Sequence, residues 1–250
     1  MKVSFLIQDL FQQGAQYVTA LMARGFHEKG YEVDILVSQV HENLLKAGNT
    51  PFEVPSAVKF VVMPSRRARY NISYIHSYIK HTAADAVIVM NAAYLYALAL
   101  ASIGLRHKPR YCYVEHNSLS PECAENISIV KNIVNKFVIN RYDSFMSVSK
   151  GSCALFEKLM GLNVGDVKAV YNPVLDKTYY DKLSKEPYCD WLKNKTMPTM
   201  VAAGAFSEFK GHLVLFEAIR IANETTPVRL VLFGKGYLQK IYEKWIAENH

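Results

Sequence analysis

The chain has 250 residues, half of them hydrophobic and a fifth charged, which is enough apolar material for a packed core and excludes a disordered tail. A formal net charge of +7 points to acidic partners such as phosphates, a nucleotide or an anionic membrane surface; the positive charge is dispersed, without a basic arm or zinc-finger spacing, so no nucleic-acid partner is expected. Cys112, Cys123, Cys153 and Cys189 include no C-x-x-C pair, which argues against a metal cage or a disulfide framework and fits a reducing compartment.

The opening "MKVSFLIQDL" carries an apolar run broken by Gln8 and Asp9, too short for a secretory signal, and a cytoplasmic location is expected. "KVSFLI" reads as a strand. The polar turn "QDLFQQGAQ" follows, then a helix with Val18, Leu21, Met22 and Phe26 on one face, closed at Gly30. "YEVDILVS" and "VKFVVMP" are the next strands, and "NISYIHSYIKH" predicts a helix with Ile72, Ile75 and Ile79 inward. After the strand "DAVIVMN" comes the longest apolar tract, 92–105. It is shorter than the roughly 20 residues of a membrane span and reads as a buried helix. The series continues with the strand "RYCYVEHN", the helix "ENISIVKNIVNKFVINRY", the strand "SFMSVS", the helix "KGSCALFEKLMG" and the strand "VKAVYNPV".

Such alternation predicts an α/β fold, a mostly parallel sheet covered on both faces, over residues 1–172. Residues 173–196 are polar, lysine-rich and bounded by prolines, and read as a linker. From 197 to 250 a new strand, turn, helix, strand and helix begin. One βαβα unit is too little for an independent α/β domain, so a second domain is expected to be incomplete.

Ligands of such sheets sit beyond the carboxyl ends of the strands, which directs attention to the residues there. In "VAAGAFSEFKGH", Gly204 ends a strand and Lys210 and Gly211 lead into a helix. A lysine at a helix N-terminus can pair with a phosphate that also takes backbone N–H bonds; it can equally be a solvated loop lysine. Gly234 and Gly236 in "FGKGYLQ" form a similar turn, where glycine lets the backbone approach a ligand closely. Gly14 and Ala15 stand at the start of the first helix without a dinucleotide fingerprint. His116, beside Asn117, follows a strand and reads either as a site residue or as a loop histidine held by hydrogen bonds. Tyr70, Tyr74 and Tyr78 form a stripe beside Arg66, Arg67 and Arg69, suited to a lipid headgroup interface or to the edge of a core. Ser149 is the expected N-cap of the following helix.

Taken in order, "QQGAQYVTALMARGFHEKGYEVDIL", "VEHN", "YDSFMSVSKGS", "VKAVYNPV", "AAGAFSEFKGHLVLFEAI" and "VRLVLFGKGYLQKIYEKWI" resemble retaining glycosyltransferases of the GT-B fold, family four, over essentially the whole chain. The resemblance implies two Rossmann-like domains facing a cleft, the first for the acceptor and the second for a nucleotide-sugar donor, with no metal and no cofactor. It places Lys210 on the donor diphosphate with Gly204, Gly211, Gly234 and Gly236 around it, His116 as the catalytic residue, and Gly14, Ala15, Gln16 and Asn117 on the acceptor. A UDP- or GDP-linked hexose is the expected donor. A cell-surface glycan or lipid-linked acceptor, as in bacterial polysaccharide or lipopolysaccharide synthesis, is the expected partner, with the protein peripheral on the inner face of the membrane through Arg66, Arg67, Arg69, Tyr70 and Tyr74.

The chain departs from this pattern in places. Ala205 stands where the family usually has an arginine, and Gln13 and Gln16 where glycine and glutamate are common. No two glutamates have the eight-residue separation of the family's donor motif, so the 250 residues read as a truncated, inactive part of a longer transferase. The alternative is a non-catalytic binding or scaffold protein of the same fold. A nicotinamide-dependent oxidoreductase is disfavoured by the missing glycine fingerprint.

Overall fold

The computed structural model describes residues 1–9, 14–39, 54–116, 120–125, 127–173, 179–187, 189–194 and 196–249. The chain divides into two compact units, Met1–Asp176 and Lys177–His250.

Unit 1 is built on a seven-stranded parallel sheet of β1 (Lys2–Asp9), β2 (Glu32–Gln39), β3 (Lys59–Val62), β4 (Ala86–Val89), β5 (Arg110–Glu115), β6 (Ser144–Ser147) and β7 (Val167–Ala169). Its helices are α1 (Gly14–Glu28), α2 (Ile72–Thr82), α3 (Ala92–Ala101), α4 (Ile129–Ile139) and α5 (Lys150–Met160). The strand order β3-β2-β1-β4-β5-β6-β7 reverses direction between β1 and β4. Because parallel crossovers are right-handed, that reversal sends α1 to one face and the later helices to the other.

The two cores follow. Val3, Phe5 and Ile7 pack with Val33, Ile35, Val37 and the α1 residues Val18 and Ala23. Leu6, Leu36, Val89, Tyr111 and Tyr113 pack with Ile75 and Ile79 of α2, Tyr94 and Leu98 of α3, Val138 of α4 and Phe156 of α5. Strands buried on both faces explain the near-continuous apolar runs in the sequence.

Local signals set the helix starts. Asn91 caps α3 by accepting the Ala93 N–H, and Ser149 caps α5 by accepting the Ser152 N–H at 3.1 Å. The helix read over 125–142 is shorter, because the Ser128 hydroxyl accepts the Lys131 N–H at 3.2 Å and starts it at Ile129.

The expected tyrosine stripe divides. Tyr70 is exposed, Tyr74 leans onto the core, and Tyr78 turns under the amino ends of the strands. There its hydroxyl donates to the buried Asp34 carboxylate and meets the Ser4 hydroxyl at 2.9 Å, while Lys2 Nζ reaches Asp34 at 2.9 Å. Burial, then the bond to Asp34, pushes the Tyr78 phenol well above its ordinary value. A four-residue spacing drifts by roughly 40° per step around a helix, so three such tyrosines cannot share one narrow face.

Unit 2 holds α6 (Tyr179–Leu183), α7 (Asp190–Lys193), β8 (Thr199–Ala203), α8 (His212–Asn223), β9 (Arg229–Phe233) and α9 (Gln239–Glu248). β8 and β9 pair in parallel from Thr199↔Arg229 to Ala203↔Phe233. Phe216, Leu238 and Tyr242 form a small core with Phe206, Leu230, Leu232 and Trp245 against it. Among the described residues, no helix is long and apolar enough to cross a membrane.

Candidate functional site

In unit 1 the reversal of strand order leaves the carboxyl ends of β1 and β4 as the switch point, with β5 beside β4. Gly14 opens α1 there and is exposed, Ala15 is half-buried and Gln16 is buried. The Gln16 amide donates to Asp9 Oδ1 at 2.8 Å, while its Oε1 is buried without a hydrogen-bond partner among the described residues. Asp9 continues the alternation of Val3, Phe5 and Ile7 onto the α1 side, a signal that its place at the start of a polar turn conceals in the sequence.

His116 follows β5 and continues the alternation of Val114 on that same side. Only β4 separates β1 from β5, a gap of about 10 Å at ordinary strand spacing. The His116 Nε2 is also buried without a partner among the described residues. Gln16 and His116 therefore leave two orphaned polar atoms on one side of the carboxyl edge, which a ligand hydroxyl can satisfy. On the opposite side of β5 the buried Glu115 accepts from Tyr113 Oη at 2.7 Å. The expected acceptor residue Asn117 lies outside the described residues.

Burial holds the His116 imidazole below its ordinary value, so it is neutral near neutral pH. The unfolded chain then binds this proton more readily than the folded one. The associated stability is complete above the ordinary histidine value of about 6.5 and is lost as the pH falls through that range. Urea midpoints at about pH 7 and about pH 5 should separate further for the wild type than for His116→Gln; equal separations would place the imidazole in water.

Arg66, Arg67, Arg69 and Tyr70 lie beyond the carboxyl end of β3, two strand positions from β1, and are exposed. Arg69 stacks over the Tyr70 ring at 4.8 Å and donates to its hydroxyl at 3.1 Å. They share an edge of the sheet with Gln16 and His116 without joining them.

In unit 2 Lys210 is exposed at the end of a short 3-10 turn, and Gly211, with φ 63, leads directly into α8 with no side-chain cap. The Lys210 stem folds back over Gly204: a β-carbon on that glycine would stand 3.5 Å from Lys210 Cγ and 3.4 Å from His212 Nε2. Beneath, His212 is buried with its Nδ1 at 3.3 Å from Tyr242 Oη. The turns after β8 and β9 are laced together. Gly204 N–H donates to the Phe233 carbonyl at 2.9 Å, Phe206 N–H to the Lys235 carbonyl at 2.9 Å, and Leu238 N–H to the Phe206 carbonyl at 3.2 Å.

This lacing gives Gly234 and Gly236 a role that the sequence did not reveal. A β-carbon on Gly234 would lie 1.9 Å from the Gly204 carbonyl oxygen, and one on Gly236 2.4 Å from the Phe206 carbonyl oxygen. Both glycines admit the neighbouring turn, where a ligand was expected. The same turn presents Lys235, a second exposed cation beside the Ala205–Phe206 backbone. An apolar trough of about 810 Å³ between α8 and α9, lined by Ile219, Leu232, Trp245 and Ile246, is a separate feature that Lys210 and Gly204 do not line. Among the described residues, no group of three His, Cys, Asp or Glu side chains could hold a metal ion.

The sequence model described as Glycosyltransferase Family 4 matches residues 13–176, about two thirds of the chain. No curated protein sequence matches. Among solved structures, a glycosyltransferase from Rickettsia africae superposes with a TM-score of 0.74 at 15% identity, covering 99% of this chain and 64% of that one. HepE of Anabaena, solved in complex with UDP, gives 0.66 at 18% identity and covers 100% and 65%. The apo form of the lipopolysaccharide outer core galactosyltransferase WaaB gives 0.62 at 17%, covering 99% and 65%. At these identities the likeness establishes the fold, an α/β arrangement of Rossmann-like parallel sheets of the GT-B class. The chain spans 64–65% of the length of these three structures.

Proposed function

The chain belongs to glycosyltransferase family 4, and we propose that it serves the transfer of a hexose, with retention of configuration, from a nucleoside-diphosphate sugar to a cell-surface glycan or a lipid-linked acceptor. The observation that carries the reading is the family match over 13–176 coinciding with the two orphaned polar atoms, Gln16 Oε1 and His116 Nε2, at the carboxyl edge of unit 1.

The acceptor belongs to that edge. A sugar hydroxyl can donate to Gln16 Oε1, while the neutral His116 ring accepts or donates according to its tautomer. Gly14, exposed and without a side chain, leaves room for a sugar ring at the start of α1. The donor belongs to the α8 N-terminus. As the bond from the sugar to the diphosphate breaks, negative charge grows on the leaving phosphate. Lys210 and the first N–H groups of α8, which has no side-chain cap, can oppose that growth, which supports a reading without a metal ion. Lys235 supplies a second cation in place of the arginine that Ala205 lacks. The UDP bound by HepE is the model for the donor nucleotide, with GDP the alternative.

Amide chemical-shift mapping with UDP-glucose tests this assignment. Shifts clustered on Lys210, Gly211, His212, Leu213 and Lys235 are expected. Shifts confined to the α8–α9 trough, or none, would favour the second reading, a non-catalytic protein of the same fold, for which Ala205 is the specific observation.

A further inference from the structure

A buried histidine stands directly beneath the Lys210 turn of unit 2. His212 is the first residue of α8 and is 5% exposed, although Lys210, two residues earlier, stands in solvent. A polar ring at that depth is costly unless its nitrogens are hydrogen-bonded. Nδ1 lies 3.3 Å from Tyr242 Oη. Nε2 has no hydrogen-bond partner among the described residues.

Packing fixes where Nε2 points. The imidazole meets the Phe206 ring edge-on at 5.8 Å and the Tyr242 ring edge-on at 5.6 Å. Phe206 and Tyr242 also touch each other, with centroids 5.2 Å apart. The backbone of Phe206 is tied to Lys235 and Leu238, so the imidazole cannot swing without loosening the turns after both strands. Its free edge therefore stays against Gly204: a β-carbon there would stand 3.4 Å from Nε2, 3.6 Å from Cε1 and 3.5 Å from Lys210 Cγ. Nε2 and the lysine stem thus converge on the one face of Gly204 that a side chain would cover.

The contact with Tyr242 decides where the ring carries its proton. Tyr242 Oη has no hydrogen-bond partner besides His212 among the described residues. If a neutral imidazole donated from Nδ1, the phenol proton would be buried without an acceptor, and the bare Nε2 lone pair would repel an anion at the helix N-terminus. With the phenol donating to Nδ1, that pair is matched and Nε2 carries the hydrogen. The outcome is an N–H donor aimed at Gly204, beside Lys210, at the positive end of α8.

We propose that His212 Nε2–H donates to the nucleoside diphosphate, on the same phosphate as Lys210 and the α8 N–H groups, and that Tyr242 of α9 is the positioning residue that fixes its tautomer. The assignment rests on the donor reading of the α8 turn and extends it. A helix N-terminus and a mobile lysine attract any anion, whereas a ring N–H locked by packing adds direction. The ring is ordered on folding, so little of its hydrogen bond is lost to ordering when the ligand arrives. A phosphate oxygen seated on the α8 N-terminus gives Nε2 the acceptor that the fold itself does not supply.

Calorimetric titration with UDP-glucose and a long-range nitrogen–proton spectrum of the histidines test this. His212→Leu combined with Tyr242→Phe removes both members of the pair and leaves no orphaned hydroxyl, so unit 2 should still fold; binding should weaken about tenfold, the worth of a hydrogen bond to a charged group. His212→Gln, whose amide nitrogen reaches the place of Nε2, should restore most of that affinity. Tyr242→Phe alone should fall between them. In the wild-type spectrum His212 should carry its hydrogen on Nε2 before ligand is added, and that resonance should move with UDP-glucose. Lys210→Ala is the control for the donor reading. If Lys210→Ala weakens binding and the His212 and Tyr242 double variant does not, the lysine site stands and the His212 assignment falls. If the wild type binds no UDP-glucose, both fall together. A His212 hydrogen on Nδ1 alone would overturn the assignment, and so would His212→Gln binding no better than the double variant, which would reduce His212 to packing.

Discussion

Gly234→Ala is expected to unfold unit 2 at markedly lower urea than the wild type. The added carbon would meet the Gly204 carbonyl oxygen at 1.9 Å and the Phe206 ring at 2.5 Å. The carbonyl is backbone in a turn tied to β9 by the Gly204–Phe233 and Phe206–Lys235 bonds, so relief requires giving up one of them. We expect a loss of about 3 kcal/mol, the upper end of overpacking costs. Gly236→Ala, at 2.4 Å from the Phe206 carbonyl oxygen, should behave similarly. Gly25→Ala is the contrast. That glycine lies inside α1 with nothing within 4 Å of the added carbon, and the change should stabilise by about 0.5–1 kcal/mol. The chain's two tryptophans, Trp191 and Trp245, both lie in unit 2, so their fluorescence follows its unfolding. Circular dichroism follows Gly25→Ala. An unchanged fluorescence midpoint for Gly234→Ala would mean that the two turns are not locked.

Lys210→Ala is expected to weaken nucleoside diphosphate binding by about 10- to 100-fold, the worth of a hydrogen bond to a charged group. The lysine is held above Gly204 by the start of α8, and its exposed head is free to meet a phosphate at the helix N-terminus. Lys235→Ala should weaken binding by a smaller factor, and the double variant should lose less than the product of the single losses if both cations share one diphosphate. A double variant that shows the full product would place the two lysines on separate anions. Gln16→Ala, in unit 1, should leave nucleotide affinity unchanged. Isothermal titration provides each comparison.

The fold was legible because the strands announce themselves. Apolar runs of four to eight residues such as "YEVDILVS" and "DAVIVMN", separated by amphipathic segments, read directly as a parallel sheet, and the described strands occupy those runs. The topology then named the strand ends, and with them Gly14, His116 and Lys210. What escaped depends on contacts far apart in the chain. Gly234 meets Gly204 across 30 residues, and nothing in "FGKGYLQ" distinguishes a glycine that admits another turn from one that admits a ligand. Tyr78 is drawn inward by Asp34, 44 residues away. The rotation of α4 is decided by Asn135 through Tyr96 and Leu159, so the isoleucines and valines of "ISIVKNIVNKFVI" look like core in the sequence and stand in solvent in the structure. Gln16 was legible as a residue at a helix start; that its amide orients Asp9 while its oxygen goes unpartnered was not.

The central claim is that the α8 turn holds a nucleoside diphosphate without a metal ion, and calorimetric titration of the chain with UDP and with GDP in the presence of a chelator tests it most directly. The account predicts saturable binding of at least one of the two, diminished in Lys210→Ala and retained in Gln16→Ala. Absence of heat with both nucleotides, or binding that Lys210→Ala leaves intact, would contradict the donor site and give precedence to a non-catalytic protein of this fold.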